Sequence, residues 1–452
     1  MKRKVISALA IAMLITAVTG CAGKKEPQSE VPAQESSVEV SEEIENTEEA
    51  APAEEASAEV EESAEAEETE EVQADAEEST EETAEVAEDA DDLASEDGEE
   101  AEVTEETEDG MTPAFKIVND MTVGWNLGNT MDAHVDNFAS DKDPKKHETS
   151  WGNPETTQGL IDAVLATGVN TIRIPVTWKF HVDENNNIDA AWMDRVQEIV
   201  DYAYGRGAYV IINVHHEDWN YPYYDNKDAA SEKISAIWSQ ISDRFKDYDS
   251  HLIFEVQNEP RKVGTDVEWT GGDDEGREVV NAVNMAAYEA IRASEGNNKT
   301  RLIMLPGYAA SSSTEVLSSI QIPENDDCVA VSVHAYTPYD FALNISGRAE
   351  WNNDTQDIVR LMRDLNRMFI SKGTPVIIGE FGALNKNNEE ERVEWLDYYL
   401  SKADENGIPC IWWDNGAFNS DGENFGIIDR RKLEFPYPGI IDVIEKHTKE
   451  NQ

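Results

Sequence analysis

Pro375-Val376-Ile377-Ile378-Gly379-Glu380-Phe381-Gly382 is a short apolar run that ends on an acid flanked by glycines. A run of this length bounded by turn residues reads as a buried parallel strand. A carboxylate at the end of such a strand is costly to bury, so it needs a purpose. Seven similar runs accompany it, at 122–128, 171–176, 208–215, 252–258, 301–306, 329–334 and 408–413, with this one spanning 374–380. Between most of them lie segments with apolar residues at helical spacing, at 191–203, 234–245, 279–291, 358–370 and 390–400. Strands alternating with helices imply an α/β fold with a parallel sheet. Eight such units imply a closed (β/α)8 TIM barrel more than an open doubly wound sheet. No Gly-x-Gly-x-x-Gly follows the first run, which weakens a dinucleotide-binding reading.

Outside these units the chain changes character. Lys2, Arg3 and Lys4 precede a mostly apolar stretch from Val5 to Val18, and Val18-Thr19-Gly20-Cys21 follows. Residues 1–20 read as a signal peptide, too short for a comfortable membrane span. The motif around Cys21 resembles a bacterial lipobox, whose cysteine becomes the lipidated N-terminus; release by cleavage near Cys21 is the alternative. Residues 21–110 read as a linker: from 22 to 110 there are 38 acids, two lysines and no aromatic residue. Such a tract repels itself and cannot build a core, so it is expected to be a disordered spacer. Of the chain's net charge of −59, the tract carries −36 and the leader +3, which leaves −26 on residues 111–452. That acidity argues against nucleic-acid binding, which needs a basic face. Residues 111–452 have ordinary globular composition and suffice for one barrel. A cell-surface, lipid-anchored monomer is the resulting expectation. Cys328 and Cys410 lie in strand-like runs, where a disulfide is possible but not required.

A barrel places its chemistry at the C-terminal ends of the strands. His215 and His216 end the third run, Asn258 and Glu259 the fourth, His334 and Tyr336 the sixth, Glu380 the seventh and Trp413 the eighth. Arg173 lies within the second. Two glutamates with several histidines, an asparagine, a tyrosine and many tryptophans suit glycoside hydrolysis. One carboxyl protonates the leaving oxygen and the other attacks or stabilises the anomeric carbon. Tryptophans stack on sugar rings, and Trp151, Trp178, Trp219, Trp269, Trp412 and Trp413 lie in or near strand-end loops. Each is by itself more often a core residue; Trp413 and Trp219, near the acids, are favoured as ligands. Glu255 reads as structural, and Glu217 and Asp218 as loop acids. Asp183-Glu-Asn-Asn-Asn-Ile-Asp189 has the acids of a calcium loop but Ile188 where the sharp turn needs glycine. It reads as a turn with Asp189 capping the next helix.

The ordered set resembles family 5 of the glycoside hydrolases, the cellulase A family, over essentially all of 111–452. Asn258-Glu259-Pro260 matches its acid/base motif and Gly379-Glu380-Phe381-Gly382 its nucleophile motif. Arg173-Ile-Pro-Val, His215, His334-Ala-Tyr336 and Trp413 match its other recurring positions. The stretch from Gly124 to Asp132, which includes Asn129, and that from Glu148 to Pro154, which includes Trp151, further resemble endo-β-1,4-glucanases of anaerobic bacteria. That subgroup often tolerates xyloglucan, mixed-linkage glucan and sometimes mannan. The resemblance implies a retaining mechanism on a β-1,4-linked polysaccharide, with Glu380 as nucleophile, Glu259 as acid/base and no cofactor or metal. It implies that Asn258 binds the 2-hydroxyl in the −1 subsite and that Trp413 forms its floor. His215, His216 and His334 hold hydroxyls or orient the carboxylates. Arg173 and Tyr336 keep Glu380 ionised, while the pKa of Glu259 is expected to be raised. Four rivals remain: a β-mannanase or a xyloglucan-specific endoglucanase on the same fold, a zinc hydrolase using His215, His216 and His334, and a carbohydrate-binding protein without catalysis.

Overall fold

Side chains in a strand alternate in direction, so a strand buried on both faces sends its residues to two different cores. The computed structural model, which describes residues 110–450, shows both cores. The segment expected to be a signal peptide, Cys21 and the acidic tract up to Asp109 lie outside the described residues. Eight parallel strands, β1 (Gly124–Leu127), β2 (Thr171–Ile174), β3 (Tyr209–Asn213), β4 (Leu252–Glu255), β5 (Ile303–Ser311), β6 (Val329–His334), β7 (Val376–Phe381) and β8 (Cys410–Asp414), close into a barrel in sequence order. Each corresponds to one of the eight apolar runs. The five helix-like segments fall on the helices Ala190–Tyr204, Lys227–Arg244, Asp274–Arg292, Gln356–Met368 and Glu389–Asp404, the second segment running one residue and the fourth two residues past the helix end. Asp189 caps the first of these, accepting from the Ala191 amide at 2.9 Å. Cys328 and Cys410 are buried and free.

One set of strand residues, including Trp125, Ile172, Val210, Phe254, Ile378 and Trp412, packs outward against the helices. The other set, Tyr209, Ile211, Ile253, Met304, Ala330, Ile377 and Ile411, packs inside with Ala114, Ile117, Val118 and Met121. Those last four belong to or directly follow the helix Pro113–Asp120, which stops the N-terminal end of the barrel with apolar groups. Two residues further along the strands the inner face turns polar, with Asn126, Arg173, Asn213, Glu255 and Ser332, all fully buried. The interior is therefore a dry plug below and a polar floor above.

One strand breaks the alternation where it matters. Val333 pairs with Ile378, but the next residue, His334, pairs with Glu380, so β7 carries one extra residue at Gly379. The same offset recurs against β8, between the pairs Ile378–Cys410 and Phe381–Trp412. A bulge of this kind re-aims the residues beyond it. Gly379 and Glu380 consequently both serve the inner side, while Phe381 returns to the outer core. A side chain at Gly379 would crowd the floor: its Cβ would stand 3.3 Å from Glu255 Oε1 and 3.4 Å from both His334 Nε2 and Ser332 Oγ. Gly379→Ala is expected to lose about 1–3 kcal/mol through overpacking. Urea unfolding should show a lowered midpoint with an unchanged slope; an unchanged midpoint would mean that the floor has room.

Candidate active site

The polar floor is organised by one guanidinium. Arg173 on β2 is fully buried and spends all five of its N–H donors. Its Nε donates to Glu255 Oε2 at 2.8 Å, and its Nη1 to Asn126 Oδ1 at 2.9 Å and Glu380 Oε1 at 2.8 Å. Its Nη2 lies 2.7 Å from both Asn258 Oδ1 and Glu255 Oε2. Glu255 also accepts from Asn213 Nδ2 at 2.9 Å and Ser332 Oγ at 2.6 Å. Burial pushes the Glu255 carboxyl up, but Arg173, His334 and Ser332 outweigh it and hold it at about 2. Glu255 is a permanent anion beneath the site, which agrees with its structural reading and explains why Arg173 stays in place.

Above this pair sit the two glutamates. Glu380 accepts from Arg173 through one oxygen and from the Tyr336 hydroxyl at 2.9 Å through the other. Burial keeps Tyr336 a phenol, raising it well above its ordinary value. Glu259, just beyond the end of β4, accepts from His334 Nδ1 at 2.8 Å, and Arg261 Nη1 lies 3.6 Å from its other oxygen. One oxygen of Glu259 and one of Glu380 lie within 4.8 Å of each other and of a His334 ring nitrogen. His334 Nδ1 is 3.5 Å from Glu380 Oε2, so this imidazole bridges both acids. Burial opposes its charge, but Glu380, Glu255 and Glu259 outweigh it and lift its pKa to about 9.

That charged imidazole overturns one expectation. Burial pushes Glu259 up, yet the His334 hydrogen bond and charge, with Arg261, bring it below the ordinary carboxylate value. The same contacts favour the proton on His334 over Glu259. Burial, with the charge of Glu259, raises Glu380 against the pull of His334 and Arg173.

Asn258 turns its Oδ1 to Arg173, which directs its NH2 away from the guanidinium. Trp413 lies nearly parallel to His215, with ring centroids 6.0 Å apart, and packs with Leu384 and Phe425. Gly128 leaves room for it, since a Cβ there would meet the Trp413 ring at 2.9 Å. His215 accepts from Asn213 through Nδ1 at 3.0 Å, and burial keeps it neutral. His216, His134 and Trp151 form a rim cluster with centroids 5.1–5.7 Å apart. Burial, then His134 and Arg261, hold His216 down at about 3.

Asn129 lies at a left-handed turn with φ 54°; its amide donates to Asp132 Oδ2 and its carbonyl accepts from Asn153. It contributes backbone geometry at this position. Trp219 is partly buried, and its indole donates to Glu217. Trp178 and Trp412 are core residues, donating to the carbonyls of Asn213 and Phe425. The three histidines of the zinc reading do not form one cluster among the described residues. His215 and His216 group with Asp132, while His334 groups with the two glutamates.

Glu217 departs from its reading as a loop acid. It is buried, accepts from the Trp178 amide at 2.6 Å and from Trp219, and burial raises it to about 8. Asn126, Asn213, Ser332 and Arg261 were not singled out in the sequence. Two-residue spacing from Ile211 and Ala330 could have found Asn213 and Ser332; nothing local marks Asn126 or Arg261.

The family model described as cellulase, glycosyl hydrolase family 5, matches residues 131–419. Endoglucanase 1 of Ruminococcus albus is 47% identical over 350 residues, 76% of this chain and 84% of that protein. Endoglucanase A of Clostridium longisporum is 46% identical over 346 residues, and the match spans only 66% of its length. A broad-specificity endoglucanase from Ruminococcus champanellensis, solved with bound cellotriose, superposes with a TM-score of 0.72 at 43% identity. That match covers 74% of this chain and 98% of the solved one. The eight-stranded barrel, the two glutamates at the ends of its fourth and seventh strands and these matches agree: the chain belongs to glycosyl hydrolase family 5.

Proposed function

We propose that this protein is a cell-surface endo-β-1,4-glucanase that cleaves internal bonds of plant cell-wall glucans with retention of configuration. The observation that carries the mechanism is the approach of Glu259 and Glu380 to within 4.8 Å. Retaining enzymes hold their carboxyls about 5–5.5 Å apart, whereas inverting ones leave about 6.5–9.5 Å for a water. The endoglucanase activity of the relatives supports the substrate class, and the broad specificity of the solved neighbour supports tolerance of more than one glucan.

In the first step Glu380 attacks the anomeric carbon while Glu259 protonates the departing oxygen. In the second, water attacks that carbon, Glu259 takes its proton, and the bond to Glu380 breaks. Asn258 hydrogen-bonds the 2-hydroxyl, and Trp413 forms the floor beneath the sugar. The proton reaches Glu259 from His334 across their 2.8 Å hydrogen bond. This transfer leaves both partners neutral, which substrate favours by excluding water.

Initial reducing-sugar release by the whole protein from carboxymethylcellulose, barley β-glucan, xyloglucan and galactomannan tests the activity. Rapid cleavage of the glucans, with Glu380→Gln below about 10⁻⁴ of the wild-type rate, is expected. Preference for galactomannan would make the protein a β-mannanase with the same roles, and no turnover by folded protein would leave the binding reading. Glu259→Ala should lose about 10²–10⁴-fold and regain activity with azide, yielding a β-glycosyl azide. An α-product from that variant would contradict the assignment.

The pH profile of kcat/KM follows from the free-enzyme protonation. Activity should fall as pH drops through the raised pKa of Glu380, because the nucleophile is then protonated. It should fall again as pH rises through about 9, because His334 then loses the proton that Glu259 delivers. In His334→Gln the alkaline limb should move down toward the carboxylate range; an unmoved limb would place that proton elsewhere.

The location rests on Val18-Thr19-Gly20-Cys21 and the acidic spacer behind it. Cys21 carries the lipid anchor, and the spacer lifts the barrel off the outer face of the membrane. Cys21→Ser should move activity from the membrane fraction to the medium and abolish labelling by a palmitate analogue. Equal partition of mutant and wild type would argue for simple secretion.

A further inference from the structure

Two fully buried aromatic donors on the helix Glu389–Asp404 take no part in the reaction scheme, yet both reach the segment that carries Tyr336. Trp395 and Tyr399 are four residues apart, so they share one face of that helix. The Trp395 indole donates to the Thr337 carbonyl at 3.0 Å, and the Tyr399 hydroxyl donates to the Ala335 carbonyl at 3.0 Å. Ala335 and Thr337 flank Tyr336 in the chain. Burial holds the Tyr399 phenol well above its ordinary value, so it keeps its proton and remains a donor.

The same helix face grips the strand of the nucleophile. Phe381, the residue after Glu380, packs against both rings, with centroids 5.0 Å from Tyr399 and 6.1 Å from Trp395. Across the two strands, the Ala335 amide donates to the Glu380 carbonyl at 2.9 Å. This contact lies beyond the end of β6 and past the offset at Gly379, where regular pairing no longer fixes the backbone. The Tyr336 hydroxyl then closes the circuit on Glu380 Oε2 at 2.9 Å. The bond between Tyr336 and Glu380 thus joins two residues whose chain neighbours, Ala335, Thr337 and Phe381, are all held by one helix face.

We propose that Trp395 and Tyr399 are positioning residues for the nucleophile: they fix the peptides on either side of Tyr336 so that its hydroxyl stays on Glu380. The inference rests on the assignment of Glu380 as nucleophile. Neither donor bonds to Glu380 or to the Tyr336 side chain, so each acts through the backbone. If the two rings only filled the outer core, phenylalanine would serve at Tyr399 as well as tyrosine does. Instead each polar group meets a carbonyl that accepts no other hydrogen bond among the described residues. Reacting groups lose rate steeply with misplacement, about 10²-fold for about 1 Å, so a clamp two bonds away from the chemistry is enough to matter.

The test is a double-mutant cycle in the full-length protein, read as kcat, KM and the pH profile of kcat/KM on barley β-glucan. Tyr399→Phe removes one oxygen and keeps the ring, and Tyr336→Phe removes the hydroxyl that Tyr399 is inferred to place. With His334 and Arg173, the Tyr336 hydrogen bond pulls the Glu380 carboxyl down against burial and the Glu259 charge. The acid limb should therefore move up in Tyr336→Phe and, by less, in Tyr399→Phe. Tyr399→Phe should lose on the order of tenfold in kcat with KM little changed. Trp395→Phe, which removes the other bond, should behave likewise. In Tyr336→Phe/Tyr399→Phe the second substitution should add almost nothing, because the hydroxyl it acts through is gone. Full additivity, or an unmoved acid limb in folded Tyr399→Phe, would overturn the inference and leave Glu380 as nucleophile. Wild-type rates in Glu380→Gln would overturn the nucleophile assignment and the inference with it.

Discussion

The site depends on a single buried cation. Arg173 is held from below by Glu255 and reaches Asn126, Asn258 and Glu380 with its other donors. Removing one partner from a buried ion pair costs about 3–5 kcal/mol, because the remaining charge is left unpaired. Loss of Arg173 would strand two carboxylates, so its geometry is strongly imposed. That geometry orients the nucleophile and the neighbouring amide together. Glu255 contributes without needing to touch substrate, by keeping the guanidinium at the floor.

The second constraint is charge balance. Three cations, Arg173, His334 and Arg261, stand among three carboxylates, Glu255, Glu259 and Glu380. Glu255 stays ionised, held at about 2, so Glu259, Glu380 and His334 share what protons remain. His334 touches both catalytic acids and holds a proton up to about pH 9. The imidazole is accordingly a proton store as well as a positioning group. A neutral His215 and a neutral His216 nearby add hydrogen-bonding groups without adding charge.

These polar devices are affordable because the fold segregates them. The apolar stopper formed with the helix Pro113–Asp120 seals the other end of the barrel, and the helices cover the outer faces of the strands. The strand-end loops then carry the rest of the rim: His134, Trp151 and His216 on one part, the Arg261–Trp269 arm on another.

All eight strands were legible because both of their faces are buried, which writes each one as an apolar run. The five longer amphipathic helices were legible from their period. Start points were less clear: the helix Lys227–Arg244 begins seven residues before the apolar pattern at Ile234, since its first turns face solvent. Glu259, Glu380, His334, Tyr336, Asn258 and Trp413 stand at strand ends, where a barrel gathers its chemistry. The sequence by itself therefore determined the barrel, its strand order and the residues at its mouth. Only the tertiary structure decided which way they face and who holds the protons. The extra residue at Gly379 turns Glu380 inward against simple alternation, and that bulge exists only in pairing with β6 and β8. The bonds from Arg173 to Glu255 and from His334 to Glu259 span 82 and 75 residues of chain. A proton's position depends on distances and burial across such contacts, which no local pattern of residues encodes.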